Sequence, residues 1–293
     1  MYENKIGVLV PNVMLPPKGT DFSKWAVVAC DQFTSQPEYW EAARAYIGDA
    51  PTTLDLFLPE AFLGKDGEAE RIATIRANMR DYMAKGTLET KPQGFVLVKR
   101  SVAGNTRWGL VMALDLECYD YNKGATTLIR ATEGTIVERI PPRLRIREGA
   151  PLELPHILVL IDDPKRTVIE PLAAKTETLE QLYDTDLMLD GGHITGWLVD
   201  GEAVKAFEDR LTAYSARVGE KYADLPGVPM VFAVGDGNHS LATAKSCYEE
   251  LKKNHPGEDL SRHPARFALV ELENIHDPAM AFEPIHRIIA DTD

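Results

Sequence analysis

Short apolar runs alternate along the chain with longer stretches in which apolar residues recur every three or four positions. The runs have the length of buried strands, and the recurring spacing predicts amphipathic helices. Over 66–85, for example, Ile72, Ile75, Met79 and Met83 fall on one helix face, and Gly86 supplies a C-terminal stop. The pattern predicts strands at 6–10, 25–29, 95–99, 109–116, 157–161, 186–189, 194–199, 230–234, 266–272 and 285–289, and helices after Ser35 and at 66–85, 202–218 and 241–253.

The order of these elements shows no regular strand–helix–strand rhythm and no internal repeat. Such an irregular mixture favours an α+β fold, with mixed sheets and helices, over a doubly wound parallel sheet. We expect residues 1–293 to form one unit with a weak internal boundary near 151–155, where prolines cluster. Because no closing element follows the strand predicted at 285–289, we also expect the chain to be a C-terminally truncated form of a longer architecture.

The amino-acid composition argues against several classes of function. The 293 residues carry a formal net charge of −13, which argues against non-specific nucleic-acid binding because that requires a basic surface. No apolar run approaches the ~20 residues that a membrane-spanning helix needs, and no signal peptide precedes the first strand. The three cysteines are far apart and form no metal-binding pair. We therefore expect a reduced, cytoplasmic protein that does not contact a membrane.

The strongest local signal is the stretch GDGNHS at 235–240, which lies between the apolar strand predicted at 230–234 and a helix. Glycine there permits positive φ, and the free N–H groups of a helix start bind anions. Two alternatives stay open. The stretch is also compatible with an ordinary turn in which an Asn caps the helix. A metal site is disfavoured, because two ligands alone do not form a metal site. The candidate ligand-binding residues here are Asp236, Gly237, Asn238, His239, Ser240 and Lys245.

A second signal is the arginine-rich segment that runs from residue 130 to residue 147. Four arginines lie within nine residues of an otherwise acidic chain, and a guanidinium binds phosphate through two parallel hydrogen bonds. The alternative is a solvated helix face paired with nearby glutamates, which we favour for Arg145 and Arg147. The candidate anion ligands are therefore Arg130, Arg139 and Arg143. Glu133, in the same segment, is a candidate base or metal ligand.

A third signal is the polar loop that follows the strand predicted at 25–29. Loops that leave buried elements often carry functional groups. Asp31 either binds a substrate or caps the next turn. No base lies near Cys30 in sequence, so we interpret it as a buried structural thiol.

Taken in order, four segments resemble the family called domain of unknown function 1015. The stretch "DGNHS" resembles that family's "DGHHR" signature, and "VACDQFTSQPEYW" resembles its "AAPPYDV" segment. "LIRATEGTIVERIPPRLR" is similar to "RHE…T…DRLRLL", and "FEPIHRII" is similar to "ILPTHRVV". The signature in turn resembles the phosphate-contacting loop of the ParB/sulfiredoxin superfamily, which includes free serine kinases.

The resemblance implies that Asp236, Gly237, Asn238 and His239 line a nucleotide-phosphate site within a ParB/sulfiredoxin-like element. The family's arginine is replaced by Ser240, so Lys245 or Arg143 would have to supply its charge.

The function expected from this resemblance is phosphoryl transfer to or from a small phosphorylated molecule or nucleotide. Mg²⁺ would offset the phosphate charge, and Asp31, Glu133 and His239 are the catalytic candidates. The alternative is a non-catalytic, nucleotide-binding regulatory module of the ParB type, and DNA binding is disfavoured by the acidity. We further expect the turn at 235–240 to line a concave pocket that the Asp31 loop and the arginine-rich segment also reach.

Overall fold

Ten strands form one mixed β-sheet within residues 6–135 and 140–280, the part of the chain that the computed structural model describes. The strands are β1 (Val8–Leu9), β4 (Phe95–Val102), β5 (Asn105–Asp115), β6 (Tyr119–Asp120), β7 (Ile129–Ala131), β8 (Ile157–Ile161), β9 (Glu180–Asp186), β10 (His193–Val199), β11 (Phe232–Asp236) and β12 (Phe267–Asn274), while β2 (Met14–Leu15) and β3 (Glu89–Thr90) pair separately. The sheet order is β6-β7-β11-β8-β12-β5-β4-β10-β9, and β1 pairs with β5.

The helices differ widely in length, and each long one has an apolar face. In α3, Ile72, Ile75 and Met79 are buried as their spacing predicts, while Met83, one turn later, is exposed. The helices are α1 (Phe22–Trp25), α2 (Pro37–Ile47), α3 (Glu68–Ala84), α4 (Ile140–Arg147), α5 (Glu170–Ala173), α6 (Gly201–Lys221) and α7 (Asn238–Asn254). Among the described residues, none of the helices combines the length and the apolar run that crossing a bilayer would need.

The largest hydrophobic core lies between the sheet and its long helices. Phe207 and Leu211 of α6 and Leu241 of α7 are fully buried against apolar strand residues. Two smaller clusters lie under the N-terminal helices, one around Trp25 and the face of α3, the other around Trp40 of α2. The helical N-terminal region therefore has apolar packing of its own beside the sheet.

The mixed sheet with interspersed helices confirms the predicted α+β class. The strand predicted at 25–29 is wrong. Asp21 caps the short helix α1 by accepting a hydrogen bond from the Ser23 amide at 3.1 Å, and residues 26–29 pair with no strand. The strand predicted at 186–189 is misplaced, because β9 covers Glu180–Asp186 and ends where the predicted strand begins. The strand predicted at 285–289 lies outside the described residues.

The local topology brings three chain segments to one edge of the sheet. β7 and β11 are parallel, with Val234 beside Ala131, so their carboxyl ends meet at the same edge. β8 is antiparallel to β11, with Asp236 beside Leu158, so the residues that precede β8 arrive at that edge too. α7 starts there directly after β11. The candidate residues of the turn at 235–240 therefore lie where several polar loops converge.

Candidate functional site

Gly237 forms the strand-to-helix turn. Its φ of +77° is left-handed, and a Cβ placed on it would lie 3.1 Å from the Cα and Cγ1 of Ile157. The Asp236 carboxylate accepts a hydrogen bond from the Gly237 amide at 2.8 Å. A glycine is therefore needed here for two reasons, the backbone conformation and the close approach of β8.

Substituting this glycine tests the second reason. We expect Gly237→Ala to lower the free energy of unfolding by ~1 kcal/mol for the positive φ, and by ~1–3 kcal/mol more for overpacking against Ile157. Gly257→Ala is the matched control, because Gly257 has a φ of +85° with no heavy atom within 4 Å of the new Cβ. Urea unfolding of both variants measures the difference, and equal losses would contradict a packing role for Gly237.

Asn238 ties the turn to the neighbouring strand. It is 3 % exposed, and its Oδ1 accepts a hydrogen bond from the Thr132 amide at 3.2 Å. The Thr132 hydroxyl in turn donates to the carbonyl oxygen of Val234. A buried amide side chain with these partners stabilises the local geometry. Asn238 therefore positions the start of α7 against the end of β7.

The side chains of His156 and Ser240 are in direct polar contact at this edge. His156 immediately precedes β8, Ser240 is the third residue of α7, and Ser240 Oγ lies 2.8 Å from His156 Nε2. His156 is not among the residues predicted from the sequence. The signal that would have found it is the one used for the other candidates, a polar residue directly next to a buried strand.

Asp31 is the second carboxylate of the edge. Its Oδ1 is buried and has no hydrogen-bond partner among the described residues. Burial raises the pKa of Asp31, and the negative charges of Asp236 and Glu60 raise it too, while His156 opposes the shift. The side chain therefore lies within electrostatic range of both the turn and His156.

Glu133 and His239 lie on the outer side of the turn. His239 Nδ1 is 3.9 Å from Glu133 Oε1, and the two side chains are 14 % and 60 % exposed. Glu133 follows β7, and His239 is the second residue of α7, so the convergence of the strand ends brings them together. The structure thus places Asp31, Glu133, Asp236, His239 and Ser240 around one edge.

A cavity of about 320 Å³ opens beside Ser240 and His156. Arg143 of α4 also lines it, and its guanidinium is paired with Glu60, the Nε to Oε1 distance being 2.9 Å. The Cys30 thiol is in the same wall, and burial raises its pKa to about 12. Apolar side chains from the N-terminal region and from 146–157 make up most of the remaining wall.

Two of the predicted cationic ligands, Lys245 and Arg130, are not brought to the turn. The Lys245 ammonium lies 2.9 Å from both the Leu116 carbonyl oxygen and Glu249 Oε1. The Arg130 guanidinium donates to carbonyl oxygens of Thr127 and Val228, which precede β7 and β11, so it points toward the opposite end of these strands. Arg139 lies outside the described residues, as does the segment FEPIHRII. Within the described ranges, no group of three His, Cys, Asp or Glu residues forms a metal-binding cluster.

Comparison with known proteins identifies the family to which the chain is similar. The sequence profile of the family described as "Protein of unknown function (DUF1015)" matches residues 14–293. Comparisons with curated proteins and with solved structures found no match to this chain. The match extends over nearly the whole chain and includes the Asp31 loop, His156 and the turn at 235–240. The chain therefore belongs to the DUF1015 family of proteins of unknown function.

Proposed function

We propose that the edge around Gly237 binds the phosphate group of a small phosphorylated molecule, such as a nucleotide, and that it transfers a phosphoryl group. The observation that carries the proposal is the left-handed glycine turn that leads from β11 into α7 beside the exposed Asp236. The first-turn amides of a helix have no intrahelical acceptors, and the helix dipole favours an anion there. The resemblance of Asp236–Ser240 to the phosphate loop of the ParB/sulfiredoxin superfamily supports the same ligand.

The charges around the turn require a cation with the phosphate. The carboxylates of Asp236 and Glu60 lie close enough to Asp31 to add to the upward shift that burial gives its pKa, so an anion alone would be repelled. Mg²⁺ is commonly held by one or two carboxylates together with substrate phosphates and waters. Asp31 and Asp236 fit that pattern, since the buried Asp31 Oδ1 has no hydrogen-bond partner among the described residues. When bound, Mg²⁺ would offset the phosphate charge.

Transfer also needs a proton acceptor near the phosphate. His239, with Glu133 3.9 Å away, supplies an imidazole whose protonated form the carboxylate would stabilise. Asp31 is the second candidate, because burial and its neighbours raise its pKa. Of these, we favour His239 for general-base chemistry and Asp31 for contact with the cation.

One observation favours a second candidate function, nucleotide binding without transfer. Phosphoryl transfer usually relies on an Arg or Lys that stabilises the charge of the transition state. Here Arg143 is paired with Glu60 and Lys245 is paired with Glu249, so neither charge is directed at the turn. A regulatory, ParB-like module would need to bind the nucleotide but would not need to transfer its phosphoryl group.

Calorimetric titration tests directly whether the chain binds phosphate compounds. We expect ATP, ADP or inorganic phosphate to bind in the presence of Mg²⁺ and to bind more weakly without it. Asp236→Asn should lose ~1–3 kcal/mol of the Mg²⁺-dependent binding free energy, as expected for a lost charged contact. Asp259→Asn is the control, because this exposed carboxylate likewise accepts a backbone hydrogen bond, from Ser261, but lies beyond the other end of α7.

The outcomes separate the two functions. Binding with release of phosphate or formation of a phosphorylated product supports transfer, and binding without any product supports the regulatory module. Absence of binding at millimolar concentrations with Mg²⁺ would reject both and leave 235–240 as a capped turn. An equal loss in Asp236→Asn and Asp259→Asn would show that general charge, and not the turn, governs the affinity.

A further inference from the structure

The contact between Ser240 and His156 joins a hydroxyl nucleophile to a base. The 2.8 Å distance between Ser240 Oγ and His156 Nε2 is that of a hydrogen bond through which the proton of the hydroxyl can pass. The two residues come from separate elements, the first turn of α7 and the residue before β8. Both line the cavity of about 320 Å³, so a bound molecule can reach them.

Asp31 lies within electrostatic range of this pair. A carboxylate near the imidazole stabilises the imidazolium that forms when histidine takes a proton. Asp31 therefore supports the pair through its charge, and it keeps the contact with the cation proposed above.

The cavity wall indicates what surrounds the reacting group. Leu58, Met79, Ile146, Leu152 and Leu154 line it, so the part of a ligand that enters the cavity is apolar. A volume of about 320 Å³ is at the small end of ligand pockets. The Ser240 hydroxyl also lines this wall, and it is in hydrogen-bond contact with the His156 imidazole. Ser240 is therefore the nucleophile that this cavity offers.

We propose that Ser240 accepts a phosphoryl group covalently and that the donor is a phosphate monoester of a small apolar or aromatic alcohol. This inference rests on the proposed function, because the phosphate would occupy the same helix start. It adds the chemical class of the substrate and a phosphoserine intermediate on this chain.

The reaction is balanced with water as the second substrate. Ser240 Oγ attacks the phosphorus, the Oγ–P bond forms, and the bond from phosphorus to the alcohol oxygen breaks with its electron pair on that oxygen. The Oγ proton passes to His156 Nε2 and then to the departing oxygen. Water next attacks the phosphoserine and gives a proton to His156, and Ser240 Oγ recovers that proton as inorganic phosphate leaves.

The test uses p-nitrophenyl phosphate with Mg²⁺ and the full chain. We expect a rapid burst of p-nitrophenolate that is stoichiometric with protein, and the mass of one phosphoryl group on the peptide that contains Ser240. Ser240→Ala should abolish both signals. His156→Gln keeps a hydrogen-bonding group but takes up no proton, and it should slow the burst by ~100-fold or more. Ser246→Ala, a substitution on the same helix, should change neither signal.

Two results would overturn the inference. One is an unchanged burst in Ser240→Ala, with melting curves showing that this variant is folded. The other is a native chain that binds inorganic phosphate with Mg²⁺ by calorimetry but acquires no phosphoryl group, which would reject the phosphoserine and leave the proposed binding function standing. A native chain that neither binds phosphate nor becomes phosphorylated would reject both this inference and the proposed function.

Discussion

Replacing Ser240 with Arg should tighten nucleotide binding and abolish the phosphoserine at the same time. The signature that this turn resembles carries Arg at this position, and a guanidinium there would add a fixed positive charge near the carboxylates of Asp31 and Asp236. A new charge-assisted hydrogen bond to phosphate is worth ~1–3 kcal/mol, so the dissociation constant should fall by roughly 5- to 150-fold. The nucleophilic hydroxyl and its 2.8 Å contact with His156 would both be lost.

Calorimetric titration against ATP, ADP and AMP measures the first effect, and mass spectrometry after incubation with p-nitrophenyl phosphate measures the second. The control for added charge is Asn254→Arg, which puts the same charge on the last residue of α7, ~20 Å along the helix axis from Ser240. Equal tightening in the two variants would assign the effect to net charge. Weaker binding in Ser240→Arg would contradict a phosphate site at the start of α7.

The regular elements of the fold could be predicted wherever one periodicity held over a full element. β8, β11 and the long helices α3, α6 and α7 all overlap their predicted ranges. The strand predicted at 25–29 failed for an instructive reason. Ala26, Val27, Val28 and Ala29 are apolar because they line the cavity beside Ser240, and not because they belong to the sheet. An apolar run does not distinguish these two environments.

The site was predictable in the parts that lie at the ends of apolar elements. Glu133 and the residues from 236 to 240 follow β7 and β11, and the parallel pairing of these strands brings them together. Asp31 follows an apolar run that is not a strand, so its prediction rested on a wrong element. His156 carries the same signal and was overlooked. The directions of Lys245 and Arg130 could not be predicted, because Glu249 and the carbonyl oxygen of Val228 fix them through tertiary contacts.

Replacing Asp31 with Asn should stabilise the free protein at neutral pH and weaken its response to ligand. Because burial raises the pKa of Asp31 in the folded chain, the ionised form destabilises the fold. That penalty is absent below the ordinary pKa of 3.8, grows as pH rises through the raised value, and is fully present above it. The melting temperature of Asp31→Asn should therefore exceed that of the native chain at neutral pH, and the difference should shrink toward ~pH 4.

Ligand should reverse this order, because the carboxylate that costs stability in the free protein is the one proposed to contact Mg²⁺. A ligand that binds only the folded chain stabilises it by RT ln(1 + [L]/Kd), so the native chain, with the lower Kd, should gain more from Mg²⁺ with phosphate than Asp31→Asn does. Asp259→Asn serves as the control, since hydrogen bonds from Ser261 lower the pKa of Asp259 and its removal should not stabilise the fold. Thermal melts of the three proteins across pH, with and without Mg²⁺ and phosphate, provide the measurement.

Two outcomes would contradict the prediction for Asp31→Asn in the free protein. If this variant is less stable than the native chain at neutral pH, or if the difference in melting temperature does not change with pH, Asp31 has partners that compensate its burial. Equal gains from ligand in the native chain and in Asp31→Asn would remove Asp31 from the proposed phosphate site, because a carboxylate that contacts the cation cannot be replaced by an amide without loss of affinity.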